Sequence, residues 1–212
     1  MAVIFFDIGA TLADPHTEPD GSLTLRPLPR VLATLDALSE VRKGVISNPG
    51  SAEAAVARAL AEAFPGRFTD AALVHWGVKN SRGIFDRAVA GTGGAAADDC
   101  VFVGEDAQER GFAREAGMRT AAHPVFALAA TENRSVLRAR IELRDGQDPR
   151  SLTAAMDETE AVPAEIVSER LVLAMVTARG VAMLERAGFT VDVRGPAEDT
   201  VASPVRHDSP TE

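Results

Sequence analysis

Val3-Ile4-Phe5-Phe6-Asp7-Ile8-Gly9-Ala10-Thr11-Leu12 begins with four apolar residues, turns acidic at Asp7 and then passes through a glycine. A run this short, apolar at every position rather than at alternate ones, reads as a strand buried on both faces. Three more runs of the same kind follow, at 44–46, 73–78 and 101–103. Helical patterns separate them. One spans about 28–41, with Leu32, Leu35 and Leu38 on one face, and a second spans 51–64, with Val56 and Leu60 inward. A third runs over 81–90 between a Ser81 N-cap and a Gly91 stop, and a fourth over 106–116 before Gly117. Alternating strands and helices predict a three-layer, Rossmann-like α/β domain with a parallel sheet, over residues 1–126. Ligands of such sheets bind at the carboxyl ends of the strands, so the polar residues after each run should converge on one edge.

Beyond residue 126 the pattern changes. Residues 136–143 alternate as a strand does, 151–159 look helical, 166–176 extended, 177–187 helical before Gly188, and 189–193 extended again. These predict a small α+β unit over 135–194, joined to the core through 127–134. Residues 195–212 are rich in Pro, Asp, Ser and Thr and read as a disordered tail.

Bulk properties exclude several function classes. The net charge of −9 opposes a nucleic-acid surface or docking on anionic lipid, both of which need clustered Lys and Arg. Asp7 interrupts the first apolar run too early for a signal peptide or a membrane span, and no other stretch is long enough to cross a bilayer. The single cysteine, Cys100, excludes an intrachain disulfide and fits a reducing cytoplasm. The four histidines have no metal-ligand spacing, and Gly91-Thr92-Gly93-Gly94 lacks the lysine of a phosphate-binding loop.

The segment from Phe6 to Leu12 resembles the first motif of the haloacid dehalogenase (HAD) superfamily, an apolar strand followed by Asp-x-Asp-x-Thr. Three further partial motifs follow in order: Val45-Ile46-Ser47-Asn48, then Lys79, then Val103-Gly104-Glu105-Asp106 with Glu109. The resemblance covers about residues 1–125. It implies that Asp7 is the nucleophile that accepts a phosphoryl group, a task suited to a carboxylate already ionised at neutral pH. Ser47, Asn48, Thr11 and Lys79 would bind the phosphate, with Lys79 also neutralising charge during catalysis. Mg²⁺ would be held by Asp7, the Gly9 carbonyl and Glu105 or Asp106, since magnesium prefers carboxylate, carbonyl and water oxygens.

Two departures qualify what the resemblance implies. The second Asp of the first motif, the family's proton donor and acceptor, is Gly9 here. General acid–base catalysis is worth roughly 10²–10⁴ in rate, so slow turnover or a preference for good leaving groups is expected. The stretch 13–27 reads as irregular and too short for a cap domain, and the segment 65–72 is shorter still. A capless site suits a large phosphorylated substrate, unless the C-terminal unit or another subunit covers it. That unit could also join a protein partner or a second copy.

Structural readings stand beside these. Asp7 could simply end a strand, Ser47 occupy a turn before Asn48-Pro49, and Lys79 be a solvated loop charge. Asp106 and Glu109 have the spacing of a helix capping box. The expectation is a HAD-like magnesium-dependent phosphohydrolase or phosphotransferase; the alternative is a non-catalytic binding or regulatory module on the same fold.

Overall fold

The computed structural model describes residues 2–50 and 52–197. In chain order the elements begin with β1 (Val3–Phe6), β2 (Ala13–Thr17), β3 (Leu23–Pro27), α1 (Val31–Ala37), β4 (Arg42–Ser47), α2 (Glu53–Ala63) and β5 (Val74–Trp76). They continue with α3 (Gly83–Gly91), β6 (Cys100–Val103), α4 (Ala107–Glu115), β7 (Arg119–Ala121) and α5 (Ala127–Thr131). The last six are β8 (Val136–Glu142), α6 (Pro149–Asp157), β9 (Ala161–Ser168), β10 (Leu171–Thr177), α7 (Ala178–Arg186) and β11 (Thr190–Pro196).

Five strands form one sheet in the order β5-β4-β1-β6-β7, every neighbouring pair parallel. All four β1 residues are fully buried because both faces of the sheet are covered. The period-two alternation of a strand divides its side chains between two cores. Ile4, Phe6, Val101 and Val103 pack with Leu35 of α1, Leu60 of α2 and Ala127 of α5. Val3, Phe5, Cys100 and Phe102 pack on the other side with Phe85 of α3 and Ala113 of α4. The three-layer, Rossmann-like architecture expected from the sequence is thus present.

The chain leaves β1 toward β4 on one side, and later places β6 on the other. That reversal is the topological switch point, where doubly wound sheets bind ligands outside the carboxyl ends of the strands. Asp7 follows β1 at this point, and its N–H extends the β1–β6 ladder by bonding the Val103 carbonyl at 2.8 Å.

Several local expectations are corrected. Residues 13–27 are not irregular but form the β2–β3 hairpin, with Gly21 at φ 80° in its turn and Leu25 anchored in the core. The segment 73–78 is a strand only over Val74–Trp76; Asp70 caps a short 3-10 turn before it, and Gly77 breaks it after. Helix α1 starts later than expected because Arg30 adopts a left-handed conformation before it, and it ends early, at Ala37 with Leu38 as its C-cap. Helix α3 starts from Arg82 without a side-chain cap, rather than from Ser81, and runs through Gly91 to Thr92. The linker 127–134 contains the buried helix α5.

The C-terminal unit is a four-stranded antiparallel sheet, order β11-β8-β10-β9, with α6 and α7 packed on one face through Ile141, Leu152, Val176 and Leu184. The extended stretch expected at 166–176 is a hairpin of two strands, β9 and β10. Gly195 and Pro196, expected in the tail, pair with Arg138 and Leu137 as part of β11. The remainder of the expected tail, 198–212, lies outside the described residues. Arg30 ties the unit to the core by donating to the carbonyls of Ala161, at 2.6 Å, and Thr159. No helix among the described residues is long and apolar enough to cross a membrane.

Candidate active site

Four strand ends deliver the site. Asp7 leaves β1 almost wholly buried, at 7% exposure. Ser47, the last residue of β4, donates its hydroxyl to Asp7 Oδ1 at 2.9 Å. Lys79 follows β5 and places Nζ 2.5 Å from the same oxygen. Lys79 is itself buried, and its ammonium also pairs with Glu109 Oε2 at 2.7 Å and stands 5.7 Å from the Phe102 ring centre. Both contacts to Asp7 fall on Oδ1. Asp7 and Lys79 are buried and Glu109 is half-buried, an arrangement stabilised by the one cation lying between the two carboxylates.

The loop after β6 is joined to the loop after β1 through Thr11. Its hydroxyl donates to Glu105 Oε2 at 3.0 Å and accepts from the Glu105 N–H at 3.3 Å. Thr11 is buried, while Glu105 is exposed. The loop can approach this closely because position 104 is glycine: a Cβ there would stand 2.9 Å from Phe102 Cζ and 3.6 Å from Asp7 Cβ. Arg110 then holds the loop from below, donating to the carbonyls of Gly104 at 2.6 Å and Glu105 at 2.7 Å.

The two capping-box candidates have separate roles. Asp106 is the N-cap of α4, its Oδ1 accepting from the N–H groups of Gln108 at 2.7 Å and Glu109 at 2.9 Å. Glu109 instead sends its carboxylate to Lys79. Burial holds the Glu109 carboxyl above its ordinary range, the pull of Lys79 notwithstanding, and the nearby Asp7 and Asp106 push the same way.

Asp7, Ser47, Lys79 and Glu109 are therefore linked in one cluster, and Thr11 and Glu105 form a second pair on the loops that follow β1 and β6. Asn48 is part of neither: its Oδ1 closes its own turn by accepting from the Gly50 N–H at 3.1 Å. Gly9 lies in the loop just past Asp7, and a Cβ there would meet nothing within 4 Å. Arg110 has no counterpart in the sequence reading. A buried arginine four residues into a helix looks like any solvated helical charge until the loop carbonyls beneath it are placed.

For a divalent cation, the loops that follow β1 and β6 offer hard oxygens: the Asp7 carboxylate, the Gly9 carbonyl and the Glu105 carboxylate. No group of three or more His, Cys, Asp or Glu side chains poised for a metal occurs among the described residues. Magnesium does not need one, because it commonly binds through one or two carboxylates and completes its shell with water and substrate phosphate. The donor chemistry fits such an ion, and Glu105 suits it better than Asp106, which is engaged at the helix cap.

No protein-family model matches the chain, and no curated protein sequence matches it. Solved structures similar to it include two at low sequence identity. One is the cobalt-bound deoxy-D-mannose-octulosonate 8-phosphate phosphatase of Haemophilus influenzae, at 16% identity and TM-score 0.43, covering 61% of this chain and 74% of that one. The other is a hypothetical protein from Xanthomonas campestris, at 22% identity and TM-score 0.39, covering 60% and 69% respectively. Neither likeness bears on the chemistry of this chain.

Proposed function

We propose that this chain is a HAD-like phosphohydrolase or phosphotransferase, dependent on a divalent metal such as Mg²⁺, with Asp7 as nucleophile. The observation that carries this reading is the convergence of Ser47 and Lys79 on one oxygen of a buried carboxylate at the switch point of the sheet.

In this reading an Asp7 carboxylate oxygen attacks phosphorus, the bond from phosphorus to the leaving oxygen breaks, and an aspartyl-phosphate forms. Ser47 donates a hydrogen bond to the phosphoryl oxygens, and Lys79, itself buried, supplies positive charge to them. Glu109 holds the Lys79 ammonium in place. Water, or another acceptor, then attacks the phosphorus and frees Asp7. A divalent ion on Asp7, the Gly9 carbonyl and Glu105 would supply charge neutralisation to the phosphoryl group. Gly9 offers no side chain to protonate a leaving group, so acyl phosphates and other good leaving groups are the favoured substrates.

Gly9 is also the observation that favours the second reading, a non-catalytic module that retains the phosphate and metal site. Turnover of acetyl phosphate and a panel of phosphate monoesters with Mg²⁺, in wild type and Asp7→Asn, separates the two. Activity in wild type that vanishes in the variant, with an acid-quenched adduct of one phosphate at Asp7, supports the enzyme. Equal background rates in both would sink it.

A further inference from the structure

The C-terminal sheet has helices on one face only. Its other face turns toward the core, and between them lies a cleft of about 920 Å³. That volume falls within the range of small-molecule sites. Six arginines line it: Arg110, Arg114 and Arg119 from the core, Arg134 from the junction, and Arg138 and Arg194 from the sheet. Only two carboxylates, Glu105 and Glu165, line the same space. Arg134 is ion-paired with Glu132 and Glu160, and Arg194 with Asp192 at 2.6 Å, so among the described residues the charge left without a carboxylate partner is concentrated on Arg119 and Arg138 in a chain of net charge −9.

The local backbone accounts for part of the arrangement. Along β8, Leu137, Ala139 and Ile141 point into the core beneath α6 and α7, which turns Arg138 to the open face. A register shift between Val193 and Gly195 leaves Arg194 as the extra residue of a bulge beside Arg138, and both line the cleft. Bulges re-aim side chains in this way. Arg138 has no hydrogen-bond or ion-pair partner among the described residues. Arg119 donates to the Thr131 carbonyl at 2.7 Å, a neutral partner that does not cancel its charge.

We propose that this cleft binds a small polyanion, a molecule with two or more phosphate or carboxylate groups, gripped by Arg119, Arg138 and Arg194. Arginine forks match both oxyanions in bidentate fashion. A nucleic acid or other extended polyanion fits poorly, because the acidic remainder of the surface repels whatever extends beyond the cleft. Glu105 forms one wall and also bonds Thr11 beside Asp7, so the cleft adjoins the candidate active site. The proposal stands independently of catalysis by Asp7.

Isothermal titration calorimetry without divalent metal, using inorganic tripolyphosphate and citrate as probes, tests it. One probe at least should bind wild type saturably at one site, more weakly as salt rises. Arg138→Ala/Arg194→Ala should lose about tenfold or more, the worth of one charged hydrogen bond, and Asp7→Asn should bind as wild type does. Binding of tripolyphosphate alone assigns a phosphate-bearing ligand, and of citrate alone a carboxylate-bearing one. Circular dichroism checks the double variant; if it is unfolded, Arg138→Gln, a single change at an exposed position, takes its place. Failure of both probes to bind wild type, undiminished binding in the arginine variants, or loss of binding in Asp7→Asn would each overturn the proposal.

Discussion

Lys79 Nζ lies 2.5 Å from Asp7 Oδ1, and both side chains are almost wholly shielded from solvent. The same ammonium reaches Glu109, so one buried cation compensates two carboxylates. Lys79→Met should therefore cost about 3–5 kcal/mol, the loss typical when one partner of a buried ion pair is removed. Urea unfolding measures this. Adding Asp7→Asn to Lys79→Met should recover part of the loss, since one stranded charge is then gone. Additive losses in the double variant would contradict the shared compensation.

Gly9→Asp tests what limits turnover. No atom lies within 4 Å of a Cβ at that position, so the side chain is accommodated without displacing the loop. Where a leaving group needs protonation, the rate should rise by roughly 10²–10⁴. Alkyl phosphates should gain far more than acetyl phosphate, which leaves without help. A uniform change across both substrate classes would show that proton transfer is not the missing step.

Stability should fall in mild acid because of His123. Burial, assisted by the nearby Arg30 charge, pushes its imidazole down to about 4, and Nδ1 accepts from the Val125 N–H at 3.2 Å. The unfolded chain takes up this proton near the ordinary value of about 6.5. The neutral ring thus contributes stability that is complete above that value and is lost as pH falls toward 4. The slope approaches about 1.4 kcal/mol per pH unit within the window. Urea unfolding of His123→Gln across this range should show a flatter profile than wild type. An unchanged slope would assign the acid sensitivity elsewhere.

Gly44→Ala should destabilise although it adds a single methyl to a buried strand. The new Cβ would stand 2.3 Å from the Leu73 carbonyl oxygen and 2.9 Å from Phe5 Cδ1. A backbone atom cannot swing aside as a side chain can, so a loss of roughly 1–3 kcal/mol is expected in thermal or urea unfolding. A Tm equal to that of wild type would refute the close approach.

The core strands were legible because burial on both faces writes itself as an unbroken apolar run, as in Val3–Phe6. Strand β7 was not: Arg119-Thr120-Ala121 has no such run, because an edge strand has only one neighbour and half-exposed side chains. The β2–β3 hairpin was hidden by Pro15 and His16, although Asp20-Gly21 is a turn signal that could have revealed it. In the site, the positions of Ser47, Lys79 and Glu105 follow from strand ends and were readable. The division of labour between Asp106 and Glu109 was not, since a capping spacing leaves undetermined where the N3 carboxylate goes.

Strand β8 lies inside its sheet only because β11 pairs with it, some fifty residues later in the chain. During synthesis the five-stranded sheet has all its strands once Ala121 has emerged, while β8 keeps one open flank until Thr190–Pro196 follow. An open strand flank on a nascent chain invites pairing with a neighbouring polypeptide. Arg138, Arg140 and Glu142, spaced along one face of β8, place charge on that flank during the interval. The arginine that lines the finished cleft would thus also guard the unfinished sheet.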